Sequence, residues 1–159
     1  SGADAHEWSA PKKPEMAITA SYIHDDIDAV ADDMEPKNSN DQAIPRLTFW
    51  DHKGTSEWVQ YDYPRPIHTS SVSVYWFDDG ASNGGCRIPK SWRLLYKDGD
   101  AFKPVSGVTT YSTDKDGYNK VSFPSLTTNA LKIEIQLQDG FSGGILEWKV
   151  ERQSASNLM

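Results

Sequence analysis

The sequence predicts an all-β sandwich, and three observations carry that prediction. Residues 131–138 alternate strictly, with Leu131, Ile133, Ile135 and Leu137 interleaved by Lys132, Glu134, Gln136 and Gln138, which is the period-two pattern of a half-buried strand. Residues 57–63 and 71–79 are rich in β-branched and aromatic side chains, and Val72, Val74 and Trp76 fall on one face. Between the strand-like runs there is no amphipathic stretch of about 10 to 15 residues, so the pattern argues against a parallel βαβ fold.

Composition narrows the function classes. With 159 residues the chain is long enough for one domain with its own core, and 6 Trp, 7 Tyr and 5 Phe argue against disorder. The formal net charge of -7, with Lys12-Lys13 as the sole adjacent basic pair, argues against nucleic acid as a partner. No run approaches the roughly 18 apolar residues of a membrane span, so no membrane partner is expected. Cys86 is the 1 cysteine, which excludes an intrachain disulfide and a cysteine-based zinc cluster.

In chain order, residues 1–15, with Pro11 and Pro14, read as a linker or peripheral arm, residues 16–152 as the sandwich, and residues 153–159 as a flexible tail. A first strand is expected within residues 16–22. An acidic short helix or turn follows over 24–33, where Ile27, Val30 and Ala31 have helical spacing among five Asp. Residues 34–45 are a loop by composition, and residues 47–50 a short strand. The runs 57–63 and 71–79 read as two strands joined by a loop at Pro64-Arg65-Pro66, because proline cannot donate to a ladder. A glycine-bearing loop spans 80–89. Residues 91–97 and 101–105 then flank Asp98-Gly99, a hairpin signal expected to place both turn residues at positive φ. Strand patterns return at 121–123, 131–138 and 145–151, giving about eight or nine short strands, the spacing of a sandwich.

The segments Ile18-Thr19-Ala20-Ser21, Ala29-Val30-Ala31-Asp32, Glu57-Trp58-Val59-Gln60-Tyr61-Asp62, Pro89-Lys90-Ser91-Trp92-Arg93-Leu94 and Gly144-Ile145-Leu146-Glu147-Trp148 occur in the order found in discoidin-like domains. The chain resembles the coagulation factor 5/8 C-type superfamily, including family 32 carbohydrate-binding modules. More narrowly, it is similar to accessory modules of Bacteroides-type glycoside hydrolases related to β-L-arabinofuranosidases. The resemblance implies a galactose-binding-domain-like jelly roll of about eight strands. It also implies a structural Ca2+ held by Asp32 and Glu147, with backbone carbonyls near Ala29 and Lys37. Asp33 stands where the family usually has Gly. Carboxylates and carbonyls suit calcium, which takes six to eight oxygens. On the residues alone, a solvated acidic loop and a water-facing Glu147 remain the alternative. Ser112, Asp114, Asp116 and Gly117 imitate the start of an EF-hand loop, but its twelfth position is Phe123, where a bidentate Glu is required.

Sugars are recognised by an aromatic platform and a few fixed polar groups. Three loops offer these: Trp50 with His52; Phe77, Asp78 and Asp79 with Arg87; and Phe141 in the glycine-rich turn 139–144. Phe77 is out of phase with the Val72, Val74, Trp76 series and is expected to be exposed. Arg87 reads either as a sugar ligand or as the salt-bridge partner of Asp78 or Asp79. A catalytic role is disfavoured: adjacent strand-end carboxylates diverge, and no Gly-x-Ser-x-Gly elbow is present. The expectation is therefore a noncatalytic carbohydrate-binding or accessory module of a secreted glycoside hydrolase. It would act in a secreted, periplasmic or outer-surface location, its partners being a glycan, with arabinose- or galactose-containing plant polysaccharides as candidates, and the parent's catalytic domain. The alternative is a structural domain that packs against a catalytic domain without binding glycan.

Overall fold

The computed structural model describes residues 16–153, so the expected linker and nearly all of the expected tail lie outside the described residues. Seven strands are formed there: β1 (Ala17–Ala20), β2 (Leu47–Thr48), β3 (Ser56–Phe77), β4 (Ser91–Asp98), β5 (Ala101–Pro104), β6 (Tyr118–Gln136) and β7 (Gly144–Arg152). Two 3₁₀ turns, Ile27–Ala31 and Gly80–Ser82, interrupt the connections.

The count is lower than expected because β3 and β6 each run through both layers. The first half of β3 pairs with β1 and with the second half of β6, as in Val59 opposite Ile133. Its second half pairs with the first half of β6 and with β7, as in Val72 opposite Val121 and Val150. β4 and β5 extend the first layer, and β2 extends the second through β7. The expected loop at Pro64-Arg65-Pro66 is instead a break in register between Asp62 and Ile67. Lacking N–H groups, Pro64 and Pro66 interrupt the ladder, but the chain stays extended and bends into the other layer.

Between the layers lie Val59, Tyr61, Leu131, Ile133, Ile135 and Leu94 from one side and Val72, Val74, Trp76, Val121 and Trp148 from the other. Tyr61 stacks on Trp148 with ring centroids 3.8 Å apart, and Trp76 meets Trp92 edge-on at 5.5 Å. The Tyr61 hydroxyl donates to the Trp148 carbonyl, so its one polar group is satisfied inside the core. At the β4–β5 hairpin, Asp98 pairs with Ala101, which makes Gly99 and Asp100 the turn residues. Only Gly99 takes positive φ, so the turn sits one residue beyond the expected position.

Candidate functional site

The loops at one end of the second layer enclose a cleft of about 720 Å³. Its first wall is residues 24–26, laid along residues 46–48. The His24 N–H donates to the Thr48 carbonyl, the Asp26 N–H to the Arg46 carbonyl, and the Asp25 carboxylate accepts from both the N–H and the hydroxyl of Thr48. The opposite wall is the loop that leaves β3. There Asp78 is buried, with one carboxylate oxygen accepting from the Gly80 N–H and the other from the Ile88 N–H. Asp79 accepts from the Cys86 N–H. The two carboxylates thus close the 78–88 loop on itself.

Trp50 forms a side of the cleft and rests against Gly85, where a Cβ would lie 2.2 Å from the ring. A Cβ on Gly84 would lie 2.0 Å from the Asp79 carboxylate. These two glycines are required for close approach, since neither stands at positive φ. Phe77 forms the floor. It is only 3% exposed, because the 37–46 segment covers this face of the sheet and the Arg46 guanidinium lies 4.9 Å from its ring centroid. The expectation of an exposed Phe77 is corrected: tertiary cover, not strand phase, decides its environment. The Nη1 of Arg46 is buried without a hydrogen-bond partner.

Of the residues singled out from sequence, Trp50, Phe77 and Asp79 line one cleft, and Asp78 lies beneath its loop. Arg87 forms no ion pair with Asp78 or Asp79. Its Nη1 donates to the Gly84 and Cys86 carbonyls, and its guanidinium lies 4.3 Å from the Phe141 ring centroid. Arg87 and Phe141 therefore stand behind the loop and outside the cleft lining. His52 is elsewhere, stacked on Tyr22 and hydrogen-bonded to Glu57. Glu57 is itself only 5% exposed; burial would raise its carboxyl, but the hydroxyls of Thr55 and Ser21 together with His52 hold it below its usual value.

His24, Asp25, Asp26, Arg46 and Asn83 complete the cleft and were not foreseen. The available signal was the polar run after the first strand, which places His24-Asp25-Asp26 in a loop. Nothing local joins that loop to residues 46 and 83. Cys86 also lines the cleft, but its thiol is buried and pushed up to about 12, which leaves it a poor nucleophile.

The acidic loop of the expected cation site is a separate feature. Glu147 is 1% exposed, not water-facing; one carboxylate oxygen accepts from the Asp33 N–H, and the other is buried without a hydrogen-bond partner. Burial, with the adjacent Asp32 carboxylate adding to it, pushes Glu147 up to about 8. Asp33 has φ of 59°, so the left-handed turn that a glycine would provide is kept with Asp in its place. The Ala29 carbonyl caps the same turn by accepting from the Asp32 N–H. Among the described residues no three His, Cys, Asp or Glu side chains are placed so that they could hold a metal ion together, so a cation here would depend on carbonyl oxygens as well.

No protein-family model matches the chain. Among solved structures it is similar to a chain of the Streptococcus pneumoniae beta-galactosidase BgaA, with a TM-score of 0.75 and 20% identity over 92% of this chain and 96% of that one. It is also similar to the family 32 module of Clostridium perfringens NanJ, solved in complex with galactose, with a TM-score of 0.62 and 15% identity over 85% of this chain and 92% of that one. A Ruminococcus gnavus GH29 fucosidase aligns with a TM-score of 0.59 and 16% identity over 88% of this chain but only 26% of that one. The fold is the all-β sandwich of family 32-type carbohydrate-binding modules, as the resemblance implied.

Proposed function

We propose that this chain is a noncatalytic carbohydrate-binding module that holds a glycan in the cleft between residues 24–26, 46–50 and 77–86. The observation that carries this reading is the placement of Trp50 against Gly85, at the side of a concave site that mixes apolar surface with polar groups. An indole offers its face to the C–H side of a sugar ring, and the surrounding groups meet the hydroxyls. Asp26 and Asp79 each keep one carboxylate oxygen free of hydrogen bonds among the described residues, and Asn83 and His24 keep unengaged side chains there. Arg46 also lines the cleft, and a guanidinium there donates to ligand hydroxyl oxygens.

Asp78 spends both carboxylate oxygens on the loop backbone and Asp79 spends one, so this adjacent pair holds the loop and is poorly placed to flank a glycosidic bond. Binding to arabinose- or galactose-containing plant polysaccharide, as an appendage of a secreted glycoside hydrolase, fits this chemistry. Polymeric glycans do not cross a membrane, so the module belongs outside the cytoplasm, in a secreted, periplasmic or outer-surface enzyme. The calcium reading also fits the residues present: the carboxylates of Asp32 and Glu147, with the carbonyls of Ala29 and Lys37, would hold the ion. Its charge would offset the acid pair and fix the turn through which Glu147 meets the Asp33 N–H.

The test is a glycan array on the folded domain with calcium present, followed by calorimetry on each hit and on Trp50→Ala. Saturable binding that falls by about tenfold or more in the variant is expected, equivalent to ~1.4 kcal/mol or more. Silence across the array overturns the reading. It would favour the structural-domain alternative, for which the outer face of the first layer offers Trp58 and Phe102 on either side of Lys132.

A further inference from the structure

We infer that the cleft selects neutral glycans and rejects sugars bearing a carboxylate or sulfate, an inference that rests on the glycan-binding reading above. Three carboxylates, those of Asp25, Asp26 and Asp79, line the cleft against the single guanidinium of Arg46. Their hydrogen-bonding state sharpens the argument. Both oxygens of Asp25 are engaged, by the N–H and hydroxyl of Thr48 and the Asp26 N–H, but Asp26 uses one oxygen to cap the Asp28 N–H, and Asp79 uses one for the Cys86 N–H. The remaining oxygen of each can only accept. A sugar hydroxyl satisfies such an oxygen by donating, and its own oxygen is left to accept from Arg46 or from the Asn83 amide. A uronate, sialate or sulfate group has no proton to donate at neutral pH. It would bring a further negative charge into a cleft already lined by these carboxylates.

Arg46 does not reverse this balance. Its guanidinium lies over the Phe77 ring; the nearby buried Asp41 carboxyl is held low first by the Lys37 and Ala43 N–H groups it accepts from, and least by Arg46. One guanidinium stands against three carboxylates, so the lining keeps an excess of negative charge. The chain's net charge of -7 adds long-range repulsion of the same sign. Specificity here arises from an unfavourable contact with the wrong ligand as much as from a favourable one with the right ligand.

The experiment uses an array carrying neutral, N-acetylated, uronic, sialylated and sulfated glycans, followed by calorimetry on the best hit and on its analogue oxidised to the C6 carboxylate. All hits are expected to be uncharged, with the oxidised analogue at least about tenfold weaker and its deficit reduced by added salt. In Asp26→Asn, which keeps the capping acceptor but removes the charge, the ratio of neutral to acidic affinity is expected to fall severalfold. A hit that requires a carboxylate or sulfate overturns the inference, as does an oxidised analogue that binds as well as its neutral parent. Silence for neutral and charged glycans alike overturns the glycan reading itself, an outcome distinct from the loss of charge selection.

Discussion

Individual residues set the properties of both sites through contact and burial. Gly85 exists to admit the Trp50 ring, so Gly85→Ala would push that ring out of place. The expected outcome is loss of glycan affinity comparable to Trp50→Ala, read by calorimetry on the folded variant. Glu147 offers a second prediction. Its folded-state value of about 8 lies above the ordinary 4.5, so between those pH values the cation-free protein binds a proton that the unfolded chain does not. That contribution to stability is fully present below about 4.5 and is lost as pH rises through about 8. In chelator, the melting temperature of the parent should therefore fall relative to Glu147→Gln between pH 5 and pH 8, and calcium should remove the fall. Parallel curves for parent and variant would exclude Glu147 as the titrating group. A melting temperature insensitive to chelator would exclude the ion, and Asp32→Ala should abolish any calcium-dependent stabilisation.

At the scale of elements, the 78–88 loop is a clasp closed by its own side chains and tied to the neighbouring segments at Ser39 and Ser142. Asp78 and Asp79 bind its N–H groups, Arg87 binds the Gly84 and Cys86 carbonyls, and Asn40 donates from the neighbouring segment to Ser82. Arg87 is therefore a positioning residue. Arg87→Ala is expected to weaken glycan binding severalfold by loosening the wall that carries Gly85, while Phe141→Ala leaves affinity within about twofold. The opposite ranking would move the ligand surface to the Phe141 turn. Glu57 similarly joins the end of β1 to the turn at His52, accepting from Ser21, Thr55 and His52. Because its carboxyl is held low, the stability it contributes is present above about 4.5 and disappears as pH falls. Glu57→Gln should flatten that acid limb of the melting curve.

At the scale of the whole molecule, two long bent strands hold the layers together and leave loops free at one end to build a cleft. Local pattern was enough for the parts of this plan that depend on alternation. Leu131, Ile133 and Ile135 face the core as their period requires, Val72, Val74 and Trp76 do the same, and the short β1 and β2 lie where their residues suggested. The resemblance supplied the jelly-roll form of that sandwich and directed attention to Asp32 and Glu147. Period two is a property of a single strand, so it survives in the sequence; a contact between loops distant in the chain leaves no such period. For that reason Trp50 and Asp79 were legible as polar or aromatic loop residues, whereas their meeting with His24, Asp26, Arg46 and Asn83 was not. The same reason separates Phe141 and Arg87 from the cleft, buries Phe77 under a covering loop, and lets one strand continue past two prolines. Side-chain alternation determined the layers and the core, and only tertiary structure decided which loops converge, because convergence depends on how β3 and β6 bend between layers.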